Sequence, residues 1–340
     1  MPISLAFIVC VEPGPTMLEY KSACLFMTMR RNTGVFSSCP IYAYSPRQGK
    51  PASKWLQDLM ARLNIVYITI PLNEKFDHYP LANKPICFAH AQANLSEEII
   101  VFLDSDILFW KQPDCFLLEK GIDIALVPDT TKTFASAGPG DPYEEYWLKL
   151  YELVGTAHRP YVTTTLTAEK VRGTWNSGVI VVRRLSNIAV QWRDTLFRLM
   201  ENDFSPPACS YLRENITLSA VATAHYDALT ELPVSYNYPI QNWNIMADKG
   251  TSPEQAILWH YQPFLNKAFG KFSVRLDKAA SLGNKVAAVN TFIEDLRFHY
   301  HKRIGLDESL LASLRRHIRI GPRLCQLKQI LGKGFIKNGR

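Results

Sequence analysis

Short apolar runs and longer mixed stretches alternate along the first half of the chain, and that alternation predicts strands and helices in turn. Residues 4–11, 40–44, 65–70, 99–103 and 122–127 are apolar runs of strand length. Between them, residues 17–31, 53–63 and 81–95 have helical length and character, the first closed by Asn32-Thr33-Gly34. A run that is apolar at every position, such as Ile99-Ile100-Val101-Phe102-Leu103, suits a parallel strand buried on both faces. The order β-α-β-α-β-α-β predicts an α/β fold with a doubly wound, mostly parallel sheet flanked by helices. The second half is less regular, with strands expected at 177–182 and 257–261 and a helix at 188–200.

The most apolar run ends in two carboxylates, Asp104-Ser105-Asp106-Ile107. Packing does not account for them, because unpaired buried charge is costly. On an extended segment, side chains at i and i+2 point to the same side. Asp104 and Asp106 would then offer hard oxygen ligands to one divalent cation, with positions left for a phosphate. Ligand sites of open α/β sheets lie just past the carboxyl ends of the strands, where this pair stands. Asp-x-Asp is also a common turn or cap sequence. Apolar residues on both sides, including Ile107-Leu108-Phe109-Trp110, favour the metal and diphosphate reading.

Composition narrows the classes. At 340 residues and 47% hydrophobic content, the chain can bury one large α/β domain with additions. Neither a stretch of the ~20 apolar residues that span a bilayer nor a basic segment ahead of the first strand is present. Seven scattered cysteines, with no Cys-x-x-Cys, match neither a disulfide framework nor a zinc site. A reducing, cytoplasmic setting is expected. Dinucleotide and P-loop chemistries lose support because no Gly-x-Gly-x-x-Gly or Walker sequence follows a strand.

The net charge of +7 is concentrated at one end: residues 302–340 hold ten Lys or Arg against two acidic residues. Apolar positions from Leu310 to Leu331 suggest two short amphipathic helices broken near Gly321-Pro322. A helix pair packed on the core explains this tail, and so does a peripheral contact with an anionic membrane surface. Nucleic acid is disfavoured, since the tail has no interleaved aromatics. The domain expectation is a catalytic domain over 1–285 and a basic helical extension over 286–340.

Five further clusters carry candidate chemistry. Ile257-Leu258-Trp259-His260-Tyr261 ends a strand in an imidazole that can join an oxygen shell around Mn²⁺, with Lys267 seven residues on as a point charge for phosphate. Asn176-Ser177-Gly178 reads as a turn feeding a β-branched strand, placing an amide at a cleft edge. Glu214 stands at a helix start, either as a dipole partner or as a sugar-orienting or acid/base group. Asn237 falls in a loop after Leu232-Pro233. The aromatic run Tyr143, Tyr146, Trp147, Tyr151 could stack on sugar rings or cover the sheet edge.

In this order, the set resembles a GT-A nucleotide-sugar glycosyltransferase, most closely the glycogenin-like family 8 of retaining enzymes, over residues 4 to about 270. The resemblance implies that Asp104, Asp106 and His260 hold Mn²⁺ or Mg²⁺ against the diphosphate of a nucleotide-sugar donor, with UDP-sugar the expected donor. It implies donor contacts from Lys84, Ser105, Asn176, Asn237 and Lys267, and places Asn176 and Glu214 at the reaction centre. The acceptor could be a glycan, a lipid-linked sugar or a protein. The chain departs from the family pattern in having Glu214-Asn215 for Asp-Gln. It also lengthens the spacing from His260 to Lys267 by one residue, with Ala268 in place of Pro.

Two other classes fit parts of the pattern. A sugar-phosphate nucleotidyltransferase uses a similar sheet with metal-binding carboxylates but needs a Gly-rich basic loop, which Glu12-Pro13-Gly14-Pro15 does not supply. A non-catalytic GT-A scaffold would bind no donor.

Overall fold

The computed structural model describes residues 3–12, 17–202, 204, 210–261 and 291. Apart from residue 291, the expected C-terminal extension lies outside the described residues, as do the boundary at 285/286 and Lys267.

The elements follow the predicted alternation: β1 (Leu5–Cys10), α1 (Met17–Asn32), β2 (Ile41–Tyr44), α2 (Lys54–Arg62), β3 (Val66–Ile68), α3 (Asn83–Asn94), β4 (Ile99–Leu103) and β5 (Ile107–Phe109). There follow β6 (Ile124–Pro128), α4 (Glu144–Leu153), β7 (Tyr161–Thr163), β8 (Lys170–Arg172), β9 (Trp175–Arg183), α5 (Ile188–Glu201), α6 (Arg213–Ala224), β10 (Leu229–Glu231), β11 (Tyr238–Pro239) and β12 (Leu258–His260). Among the described residues, the main sheet runs β10-β6-β9-β4-β1-β2-β3. Its pairings are parallel except at β9, which lies antiparallel between β4 and β6. The fold is therefore mixed α/β with a mostly parallel central sheet, as the buried strand runs predict.

Alternation of side chains along each strand supplies two apolar faces. Ala6, Ile8, Ile100, Phe102, Leu126, Ile180 and Val182 join Phe88 of α3, Trp192 of α5 and Leu218 of α6 in one cluster. On the other face, Phe7 meets the rings of Phe109 and Phe116 edge-on at 6.0 and 6.3 Å. No helix among the described residues is long and apolar enough to cross a membrane.

Two local expectations are corrected and one left open is decided. Asp104–Asp106 is not extended: Ser105 and Asp106 form a turn, closed by the Ile107 amide donating to the Asp104 carbonyl at 3.2 Å. The chain turns there because it leaves the main sheet and enters a second one, ordered β11-β12-β5. Asn176-Ser177-Gly178 is not a turn but lies near the start of β9, in the stretch where its register against β6 shifts between Leu126 and Pro128. Tyr146, Trp147 and Tyr151 are buried on α4, packed with Leu199, Ile216 and Ala220, so this run covers hydrophobic core and offers no face to a sugar.

Candidate active site

The second sheet explains how residues distant in sequence converge. β12 runs antiparallel to β5 and pairs His260 with Ile107, the residue after Asp106. The imidazole Nε2 thereby lies 3.2 Å from Asp106 Oδ1. Asp104 is fixed from the main sheet, its amide donating to the Gly178 carbonyl at 2.9 Å. One ligand atom from each of Asp104, Asp106 and His260 lies within 4.8 Å of the others. Two carboxylates and one imidazole are a donor set that suits Mn²⁺ or Mg²⁺, so the residues present fit a divalent cation.

Cations of the protein itself surround these carboxylates. Lys84, on the first turn of α3, places Nζ 2.8 Å from Asp104 Oδ2, 3.3 Å from Ser177 Oγ and 3.7 Å from Glu214 Oε1. Lys21 of α1 reaches Asp106 Oδ2 at 3.3 Å. Burial opposes ionisation of Asp106, but the charge and hydrogen bond of His260, with Lys21 and Lys84, outweigh it and hold the carboxyl well below its usual range. Burial likewise disfavours the Lys84 ammonium, and Asp104 and Glu214 more than offset it, so its pKa rises.

Glu214 is buried at the start of α6, where the Trp192 indole of α5 donates to its carbonyl at 2.7 Å. Its carboxyl accepts from the Tyr79 hydroxyl at 2.8 Å. Burial pushes its pKa up; Lys84 and the Tyr79 hydrogen bond oppose this, and the neighbouring Asp104 adds to it. Asn176 links three residues: its amide nitrogen donates to Asp129 Oδ1 at 3.3 Å, and its oxygen accepts from Asn237 Nδ2 and from the Gly178 amide, each at 2.8 Å. Asn237 is itself buried and lines neither cavity of the site, so it meets the cleft through Asn176.

Sequence reasoning passed over Asp129. It follows β6 as Asp104 follows β4, and it accepts from Asn215 Nδ2 at 3.1 Å as well as from Asn176. Burial raises its pKa from 3.8 to about 6, against the two amide hydrogen bonds. The signal was the one used at Asp104, a carboxylate at the carboxyl end of an apolar strand.

Two cavities meet at this cluster. The first, about 500 Å³, is lined by Glu12, Arg47, Asn83, Lys84 and the turn Asp104-Ser105-Asp106, at the carboxyl ends of β1 and β4. The second, about 390 Å³, is lined by Lys84, Asp104, Asp129, Asn176, Glu214 and His260, with three threonines of the loop after β6. Lys84 and Asp104 belong to both. A phosphate-bearing ligand in the first cavity would meet a sugar or acceptor in the second at that shared wall.

Residues 7–223 match the family model described as the Rhodobacterales glycosyltransferase domain. Among solved structures, the chain is similar to mouse xyloside xylosyltransferase 1 in its apo form, at 11% identity and TM-score 0.46, covering 77% of this chain and 98% of that one. It is also similar to the apo-form glycosyltransferase GlyE of Streptococcus pneumoniae TIGR4, at 14% identity and TM-score 0.47, covering 85% of this chain and 63% of that one. Comparison with curated protein sequences finds no match.

Proposed function

Starting from a chain that belongs to the Rhodobacterales glycosyltransferase domain family, and is thus a glycosyltransferase, we propose that it moves a hexose from a nucleotide-diphosphate sugar, UDP-sugar foremost, to an acceptor hydroxyl. The observation that carries the proposal is the meeting of Asp104, Asp106 and His260 within 4.8 Å where the two cavities join. These three residues would hold Mn²⁺ or Mg²⁺, which supplies Lewis-acid stabilisation of charge on a leaving diphosphate.

The protein's own groups have distinct work. Ser105 and Lys84 face the donor, and the Lys84 ammonium is kept charged by Asp104 and Glu214. Glu214, clamped by Tyr79 and Lys84, orients donor-sugar hydroxyls, while Asn176 sets the wall between sugar and acceptor. Retention of configuration and membership of family 8 rest on the ordered motif set alone. Nucleotidyl transfer and a non-catalytic scaffold are set aside by the family match.

The test is UDP release from UDP-hexoses with and without Mn²⁺. Metal-dependent release that Asp104→Asn abolishes supports the proposal, and equal release without metal in the variant refutes it. Product anomeric configuration, read by proton NMR, decides retention.

A further inference from the structure

The two oxygens of Asp106 have different neighbours. Oδ1 lies beside the His260 imidazole, whereas Oδ2 accepts from Lys21 Nζ at 3.3 Å. We propose that Lys21 is a positioning residue that keeps Asp106 a one-oxygen ligand and so sets which divalent cation the cluster takes, Mn²⁺ or Mg²⁺ in preference to Ca²⁺. The proposal rests on the metal reading above and deepens it by naming the group that selects the metal.

The packing of α1 holds Lys21 in this place. The side chain is buried, and its ammonium lies 5.6 Å from the centre of the Tyr261 ring. It lines neither cavity, unlike Lys84, which lines both. Lys84 can therefore turn from Asp104 to a phosphate in the cleft, while Lys21 faces Asp106 from behind it. Helix α1 is tied near both ends. Close to its start, Glu19 accepts from the Ser53 amide and, at 2.7 Å, from the Ser53 hydroxyl at the entry to α2. Towards its end, the Phe109 amide donates to Thr28 Oγ1 at 3.3 Å, and Asn32 Nδ2 donates to the Phe109 carbonyl at 2.6 Å. Phe109 belongs to β5, the strand directly after Asp106, so helix and carboxylate are held together.

Coordination number supplies the selectivity. A cation bound through Oδ2 would sit against the Lys21 ammonium, like charge against like charge. Asp106 is then left with Oδ1. Ca²⁺ takes about 6–8 oxygens and often draws both from one carboxylate. Mg²⁺ demands near-ideal octahedral geometry, which a carboxylate bound through both oxygens distorts. Mn²⁺ takes octahedral oxygen sites likewise. The nitrogen of His260 adds to the bias, since Ca²⁺ is a hard cation that seeks oxygen. A lysine acting through its charge alone would weaken all three cations alike, because each carries two charges. Withholding one oxygen weakens Ca²⁺ selectively.

Thermal unfolding of the full chain, followed across titrations of Mn²⁺, Mg²⁺ and Ca²⁺ at one fixed UDP concentration, gives an apparent Kd for each cation. The wild type should bind Mn²⁺ and Mg²⁺ more tightly than Ca²⁺. In Lys21→Met, the ratio of the Ca²⁺ Kd to the Mn²⁺ Kd should fall about tenfold, the scale on which partners of a metal ligand alter affinity. Lys21→Gln, uncharged and one bond shorter, should lower the ratio too, and decides the matter where the apolar replacement does not fold. A ratio left unchanged in the folded variant, even with all three constants moved together, overturns this inference. So does a wild type that binds Ca²⁺ as tightly as Mn²⁺. In both cases Mn²⁺-dependent stabilisation by UDP leaves the donor reading standing. A wild type that UDP and Mn²⁺ together do not stabilise removes the metal reading and this inference together.

Discussion

His260 Nε2 lies 3.2 Å from Asp106 Oδ1 because the antiparallel pairing of β12 with β5 sets their backbones side by side. Directly beneath sits Gly178 of β9. A Cβ built there would come 2.8 Å from His260 Cε1 and 2.9 Å from Asn176 Oδ1. Gly178→Ala should therefore displace the imidazole and weaken Mn²⁺ binding about 10- to 100-fold, the effect of disturbing a ligand's orientation. Isothermal titration with Mn²⁺ checks this, with far-UV circular dichroism confirming that the sheet persists.

Lys84 is the counter-charge shared by Asp104 and Glu214. Lys84→Met leaves Glu214 buried without its cation, and breaking such a pair from one side costs about 3 kcal/mol. Urea unfolding should register that loss. Glu214→Gln in the Lys84→Met background should recover part of it, since the second change removes the stranded charge.

Asp129 carries a proton to higher pH when folded than an ordinary carboxyl does, its pKa rising from 3.8 to about 6. Between those values the native state binds the extra proton, so the Asp129 contribution to stability is lost as pH rises through that window, on the order of 3 kcal/mol in all. Asp129→Asn should flatten this part of the stability–pH curve. Transfer should follow the opposite sense in the wild type, falling below about pH 6 as the Asp129 carboxylate lining the second cavity, which holds Asn176 and Asn215 in place, is protonated. Thermal unfolding and kcat/KM, each measured from pH 4 to 8, check the two halves.

Trp147 is buried in the cluster of α4, α5 and α6. Trp147→Ala should cost about 3–5 kcal/mol through cavity formation, with the UDP Kd of the folded protein unchanged. A stability loss measured in urea with intact UDP binding assigns this aromatic run to packing.

The apolar runs made the main sheet legible: β4 has the expected bounds, and α6 begins at Arg213 as expected. Strands buried on both faces announce themselves by composition alone. The pairing partners did not, because antiparallel insertion of β9 between β4 and β6 is a tertiary choice with no local signature. The β7–β8 hairpin was missed for a related reason. Its connection contains Ala168 at φ +56°, where a turn more often shows glycine or asparagine. Of the cluster, the sequence exposed the ligand types and their order. Their convergence depends on the turn at Ser105-Asp106, where apolar flanks suggested a continuous strand. Lys21 was visible only as one of several charges on helix α1, and its tie to Asp106 comes from packing.

The most direct test is thermal stability of the wild type and Asp106→Ala with UDP, with and without Mn²⁺. A ligand that binds only the native state raises apparent stability, by about 2.7 kcal/mol at a hundred times its Kd. The account predicts UDP stabilisation of the wild type that requires Mn²⁺ and disappears in Asp106→Ala. A folded wild type that UDP does not stabilise, or an Asp106→Ala variant stabilised as fully as the wild type, would contradict it.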